Sequence, residues 1–490
     1  MGFTSGDRDD PCHVLYSMSI KNNFFYSLVL TASNYIFPLL VYPYISRILG
    51  VDGIGLCNFV DSIINYFVLF STIGISIIGI REIASAKKNK DSLSIVFTSL
   101  MVHTIIPTII ACLLFLFAIF SINRLGEYKE LLLVGIGKLL GTAFLLDWFY
   151  KGLEDFKYIT RITITIKIFY VISVFIFVRK PEDYLMYFIL TTLMVLVNSL
   201  YNIYYCRHFV KIRFNKNHCI QLIKPNLING LYLFLNSMYL TLNVAILGFV
   251  SNVTQVGYYT TASKLYGILI AMYTAFTGVL LPRMSSLCTE QKMDEFMDLI
   301  KKSLNILIVF FIPVVLFCIL LSPQIVDVIS GPGYEGAYIP TAISMLLVFI
   351  VSYEQILVVQ ILTPLKEDTI KLRNSVVGAT VGIIGNILLV KAFLAVGATI
   401  VWGLAELSVL ISSQYFVTKI VGMKFPFLQI AKEVLVYVPL CLLIVALSLY
   451  ISNSAMYIVI ASILSFVYFI VLKICIQKDQ LVLGFWKSLF

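Results

Sequence analysis

The sequence predicts an all-α polytopic membrane protein with about 14 transmembrane helices, and three observations carry that prediction. Of the 490 residues, 60% are hydrophobic and 13% charged, about half the charge of a soluble domain, and the mean hydropathy is +0.94. The apolar residues form long unbroken runs, each close to the ~20 residues that cross a bilayer as a helix. Lysine and arginine are dense in every second loop, the pattern that marks cytoplasmic loops. Disorder is excluded by the apolar content. An outer-membrane barrel is excluded because alternating ten-residue strands are absent.

In chain order the spans are 24–46, 54–80, 92–121, 131–150, 161–178, 184–206, 227–250, 256–282, 304–329, 338–363, 375–390, 398–418, 434–451 and 456–476. The first carries Pro38 and Pro43. Each removes a backbone hydrogen bond and bends the helix, which makes this span a candidate hinge. The loops are short, and nearly all outer ones fall under about ten residues, as in tight helix connections. They leave no extramembrane domain for a soluble catalytic site. With the N-terminus in the cytoplasm, the inner loops carry 22 Lys and Arg against six in the outer loops. One missed helix would invert every later loop, so the bias checks the span count and puts both termini inside. It also accounts for most of the net charge of +10. The most basic inner loop, 207–226, separates an N-terminal six-helix bundle (18–206) from a C-terminal one (227–420), and 434–476 forms a terminal helix pair. Residues 1–17 are polar and unpatterned, and Met18 opens a short basic leader, so 1–17 reads as a non-native or disordered extension.

Ionisable side chains are costly in a bilayer and face a partner or water. Well inside the spans they include Asp61, Lys138, Lys167, Lys264, Glu354 and Glu406, while Asp147 and Asp327 lie close to span ends and reach the interface. Asp61, Lys138, Lys264 and Glu406 share one depth, ~10–12 Å below the outer surface at 1.5 Å per residue. Two readings stay open: ion pairs that pin helices, or a hydrated cavity. In the cavity reading Lys264 and Lys138 hold an anionic substrate, while Asp61, Glu354 and Glu406 act as coupling or charge-pairing carboxylates. In the seventh span, Asn229, Tyr232, Asn236, Tyr239 and Asn243 recur at spacings that place them on one helical stripe. Amides facing lipid would go unpaired, so the stripe faces protein or water. Amides that bond hydroxyls and rings that stack on C–H faces suit a glycan; hydrogen bonding between helices is the alternative. On the eighth span, Lys264, Gly267, Ala271, Thr274 and Gly278 share a face, a pattern suited to close helix packing.

The nine cysteines include no CxxC pair, so neither a metal site nor a disulfide framework is indicated. No GxSxG, HExxH or Walker loop occurs. The chain therefore reads as no enzyme and as needing no cofactor. Transport would draw on an H+ or Na+ gradient, the membrane potential or consumption of the product.

The segments FPLLVYPYISRILGVDGIG (37–55), LDWFYKGLEDFKYITR (146–161), VGYYTTASKLYG (256–267) and LLPRMSSL (280–287) resemble the Wzx-type oligosaccharide flippases of bacterial surface-polysaccharide synthesis. These belong to the multidrug/oligosaccharidyl-lipid/polysaccharide exporter superfamily. The resemblance runs from about Met18 to the end of the chain. It implies two six-helix bundles in a V-shaped exporter fold and alternating access. It implies an undecaprenyl-diphosphate-linked oligosaccharide repeat unit as the substrate, moved from the cytoplasmic to the outer leaflet for O-antigen, capsule or exopolysaccharide synthesis. It also implies a bacterial inner-membrane location, a monomer, and a polysaccharide polymerase and glycosyltransferases as partners, with no nucleic acid. Related peptidoglycan-precursor flippases carry a basic residue at the position matching Lys264, which agrees with a diphosphate contact there. The competing functions are a multidrug or cation antiporter of the same superfamily and a membrane polysaccharide polymerase or ligase.

Overall fold

The computed structural model describes residues 20–451, 453–477 and 482; the expected extension 1–17 lies outside them. Among the described residues every regular element is helical, and eleven stretches are long and apolar enough to cross a membrane. Two of these, Phe25–Ala86 and Asp368–Val421, hold 62 and 54 residues. At ~1.5 Å per residue each is long enough for two passes of a ~30 Å hydrocarbon core. Lys216–Leu240, continued by Leu242–Val250, supplies a further pass. The expected fourteen passes are accommodated. Contacts within the chain group it into two compact units, Met1–Phe249 and Val250–Phe490.

In the first unit, α1 (Ile20–Ser71) contains the first two passes and turns between them at Gly50, whose φ of 65° and ψ of 179° interrupt the helix. A side chain disfavours that positive φ, and glycine does not. The backbone stays helical through Pro38 and Pro43. Helix α2 (Ile75–Ala86) starts at Gly74, φ 67°. A Cβ at Gly74 would lie 2.1 Å from the carbonyl oxygen of Asn226. Helix α3 (Lys90–Ser121) is capped by Asn89, whose Oδ1 accepts the N–H groups of Asp91 and Ser92 at 2.9 and 3.1 Å. Then follow α4 (Lys129–Ala143), α5 (Asp147–Leu153), α6 (Phe156–Phe177) and α7 (Tyr184–Cys206). The 146–161 segment is built as a core plug. Leu146 and Glu154, both at positive φ, bracket α5, and Trp148, Phe149 and Tyr150 are buried beside Phe97 and Phe209.

After α7 the chain runs extended along α3. The N–H of Lys211 donates to Ser94 Oγ (3.2 Å) and that of Arg213 to Thr98 Oγ1 (2.9 Å). The Arg213 guanidinium pairs with Asp91 at 2.9 Å. His103 Nε2 hydrogen-bonds the carbonyl of Cys219 at 2.8 Å. The basic stretch 207–226 therefore lies inside the first unit, and α8 (Lys216–Leu240) packs on α2 and α3 before the short α9 (Leu242–Val250).

The second unit opens with α10 (Val253–Thr289). Helix α11 (Met293–Ile306) continues through π-helical Leu307–Phe311 into α12 (Ile312–Leu320). Helix α13 (Ser322–Ser330) precedes α14 (Tyr338–Gln355), which extends as π-helix to Leu362. Helix α15 (Asp368–Gly385) leads through Asn386–Val390 into α16 (Lys391–Val421), bent at Leu394 with φ 52°. Tyr273, Phe296, Ile356 and Leu410 share its main core. The terminal pair, α17 (Phe427–Leu447) and α18 (Ser454–Ile470), packs through Tyr437, Leu440 and Tyr457 on Leu321.

Candidate functional site

Each unit carries its own intramembrane polar cluster. In the first unit the ammonium of Lys138 on α4 is ion-paired with the carboxylate of Asp61 on the second half of α1. Asn65, one turn further along α1, donates to the other Asp61 oxygen at 3.4 Å. Tyr170 on α6 and Tyr187 on α7 hydrogen-bond each other close enough to Asp61 to feel its charge. Four passes thus meet at one charge-neutral knot. Its cation is satisfied by an acid in the same unit.

A second lysine in this unit sits differently. Lys167 on α6 donates to Ser33 Oγ at 3.0 Å and to Asn34 Oδ1 at 2.7 Å, both on the first half of α1. Its ammonium also lies 5.7 Å from the centre of the Phe37 ring. A largely apolar cavity of about 180 Å³ in the same unit, walled by Ile75, Ile80, Leu146 and Trp148 among others, also admits Asp147 and Lys151. There Asp147 and Lys151 form an ion pair at 3.6 Å.

Of the Asn/Tyr stripe, Asn229 donates to the Pro225 carbonyl at 2.9 Å, within its own helix. Asn243 is fully buried and engaged. The helix breaks at Thr241, whose hydroxyl donates to the Tyr66 hydroxyl at 3.3 Å. The side chains of Tyr232, Asn236 and Tyr239 lie outside the described ones.

In the second unit the carboxyls of Glu354 (α14) and Glu406 (α16) are in contact. The indole N–H of Trp402 donates to Glu406 at 3.0 Å, and Trp402 packs edge-on against Tyr266 of α10 at 4.6 Å. Lys264 is half-buried on α10 and engaged in an interaction. Its face is not the close helix contact that its small residues suggested. A Cβ at Gly267 or Gly278 would meet nothing within 4 Å, so this stripe borders open space. Thr274 on the same face accepts the Gln355 amide at 2.9 Å.

One charged pair escaped the sequence reading. Glu433 on α17 meets Lys473, just beyond α18, at 2.6 Å, with the side chains 10% and 1% exposed. The signal was present, since Lys473 interrupts an apolar run, but Glu433 sat just ahead of the expected start of its span at 434. The structure starts α17 at Phe427.

With this geometry in hand, the comparison with known families is decisive. The family described as polysaccharide biosynthesis protein matches residues 20–288. The chain belongs to that family. Two relatives within reach of it, from Escherichia coli (strain K12) and Shigella dysenteriae, are named for O-antigen transport. They are 25% and 24% identical over 352 and 369 residues, which is 70% and 74% of this chain and 84% and 91% of theirs. Among solved structures, the lipid II flippase MurJ in an inward closed conformation superposes with TM-score 0.75 at 15% identity. The match covers 94% of this family member and 99% of MurJ. An outward-facing multidrug resistance transporter of the MATE family, in the MOP superfamily, superposes with TM-score 0.54 at 13% identity, covering 85% and 97%. These likenesses establish the fold as that of the superfamily expected from the sequence, in a multi-pass membrane protein.

Proposed function

We propose that the chain is a flippase for lipid-linked oligosaccharides. It moves undecaprenyl-diphosphate-linked repeat units from the cytoplasmic to the outer leaflet by alternating access, in a bacterial inner membrane and with both termini cytoplasmic. The observation that carries this reading is membership of a polysaccharide biosynthesis family together with relatives, named for O-antigen transport, that align over most of their length. The mixed signs of the intramembrane charges support it over a drug or cation antiporter. Short loops and the absence of catalytic motifs support a transporter over a polymerase or ligase. Lys264, on a face bordering open space, is the proposed diphosphate contact, and the Asn/Tyr stripe the proposed glycan surface. Glu354 and Glu406, two acids in contact, suit the binding of a coupling proton or cation. The chain acts as a monomer, alongside a polymerase and glycosyltransferases that it need not hold.

Deletion of the gene should leave lipid-linked repeat units facing the cytoplasm, and complementation should restore surface polysaccharide. Lys264→Ala should fail to restore it at unchanged protein level. Normal polysaccharide from that variant would remove Lys264 from the site. Normal polysaccharide from the deletion strain would remove the flippase reading itself.

A further inference from the structure

We infer that Lys167, anchored by Ser33 and beside Asn34, forms a second phosphoryl-binding site, inside the first unit, that takes the diphosphate of the lipid-linked substrate in addition to the contact proposed at Lys264. This rests on the flippase reading above. Helix α6 spans Phe156–Phe177, which puts Lys167 about 16 Å from either end, near the middle of the bilayer. An ammonium at that depth faces protein or water rather than hydrocarbon.

Its hydrogen-bond partners are neutral. The ammonium has three donors; two go to Ser33 Oγ and Asn34 Oδ1, and the third meets no hydrogen-bond acceptor among the described residues. Among the described residues it is in no ion pair. Asp147, the acid whose charge reaches it, is paired with Lys151. Lys138 at the neighbouring knot has its charge cancelled by Asp61, whereas Lys167 keeps its own. Asn34 beside it is exposed, and an exposed amide at mid-bilayer depth must meet water or a ligand, because in hydrocarbon it would go unpaired. The Ser33 hydroxyl is buried and gives its proton to the Leu30 carbonyl at 2.7 Å, so it only anchors the ammonium. A cation outside any ion pair beside an exposed amide that can donate is the chemistry that recognises phosphate oxygens.

The test uses the full-length chain purified in detergent, with farnesyl diphosphate as the probe and binding read by native mass spectrometry. Farnesol and inorganic pyrophosphate are the comparisons. Wild type should bind farnesyl diphosphate and discriminate against farnesol, and pyrophosphate should compete. Lys167→Gln should weaken binding about tenfold or more, and Lys167→Arg should stay within about threefold, because a cationic donor contributes roughly that much to an anion contact. Asn34→Asp, an isosteric change that hands the ammonium a carboxylate, should weaken binding as Lys167→Gln does. It decides the matter where Lys167→Gln does not elute as a single species. Lys167→Gln or Asn34→Asp binding as tightly as wild type overturns this assignment and leaves the flippase reading standing. Wild type that fails to bind farnesyl diphosphate, or binds farnesol equally well, overturns both.

Discussion

Separating Asp61 from Lys138 distinguishes a helix pin from a substrate contact. Asp61→Asn leaves the Lys138 ammonium without its acid, Lys138→Met leaves the carboxylate without its cation, and the double variant removes both charges. Removing one partner of a buried pair costs about 3–5 kcal/mol, and an exposed pair is worth about 0–1 kcal/mol. With 19% of the Lys138 side chain and 30% of the Asp61 side chain exposed, each single change should cost about 2–3 kcal/mol. The double variant should lie within about 1 kcal/mol of wild type, a coupling of about 3 kcal/mol or more. One kcal/mol moves the melting temperature by about 2–4 °C in a chain of 150–250 residues and by roughly half that at twice the length. The single variants should therefore melt about 3–5 °C lower, in a thermal challenge of detergent-solubilised protein read by size-exclusion chromatography, and the double variant should recover. Polysaccharide output of each variant in the deletion strain gives the second axis. Double-variant protein with the summed losses of the two singles would refute the pin. Recovered stability without recovered polysaccharide would show that Lys138 also meets substrate.

Three further outcomes follow from the geometry. Gly74→Ala should cost more than about 1–2 kcal/mol, the penalty of a left-handed residue, because its new Cβ also meets the Asn226 carbonyl oxygen at 2.1 Å; an unchanged melt would mean that α2 and α8 do not cross there. Lys473→Met should cost about 3–5 kcal/mol by leaving Glu433 buried and unpaired, and adding Glu433→Leu should restore most of it in the same melting assay. Asp155, 5% exposed at the start of α6, has its carboxyl raised above the usual 3.8, chiefly by burial. A raised carboxyl stabilises the fold below its unfolded pKa, and that contribution is lost as pH rises through the folded value. Asp155→Asn keeps the cap acceptor without the charge, so it should melt above wild type at pH 7 and match it at pH 3.5; a lower melt at pH 7 would contradict this.

Much of this was legible because local rules govern helix starts. Asn89, Asp155, Asn215, Asn252 and Asn453 each accept a backbone N–H at the head of a helix, as short polar side chains do. The apolar runs between them gave the passes. Most of the ionisable residues were visible too, Glu433 and Lys473 excepted, because charge stands out in an apolar run. Their partners were not. Lys138 finds Asp61, and Glu433 finds Lys473, across long stretches of chain, and such pairings follow from packing rather than spacing. The turn at Gly50 falls in the connection expected between 46 and 54, whereas Pro38 and Pro43, read as a hinge, sit in backbone that stays helical. Lys167 drew no role from the sequence because its distinction is the neutrality of its neighbours on another helix.

The docking of the 207–226 stretch along α3 bears on how the chain enters the membrane. Helix α8 carries Lys216, His218, Gln221, Lys224, Asn226 and Asn229 in its first 14 residues. Lys216 and Lys224 lie in the basic loop ahead of the seventh span, so this half of α8 has little reason to enter the bilayer on its own. Ser94 and Thr98 on α3, made much earlier in synthesis, hold the extended chain just ahead of it, and His103 on α3 and the turn at Gly74 meet its first half at Cys219 and Asn226. Order of synthesis thereby becomes a determinant of topology. If α3 is missing or displaced, the start of α8 loses the partners that place it.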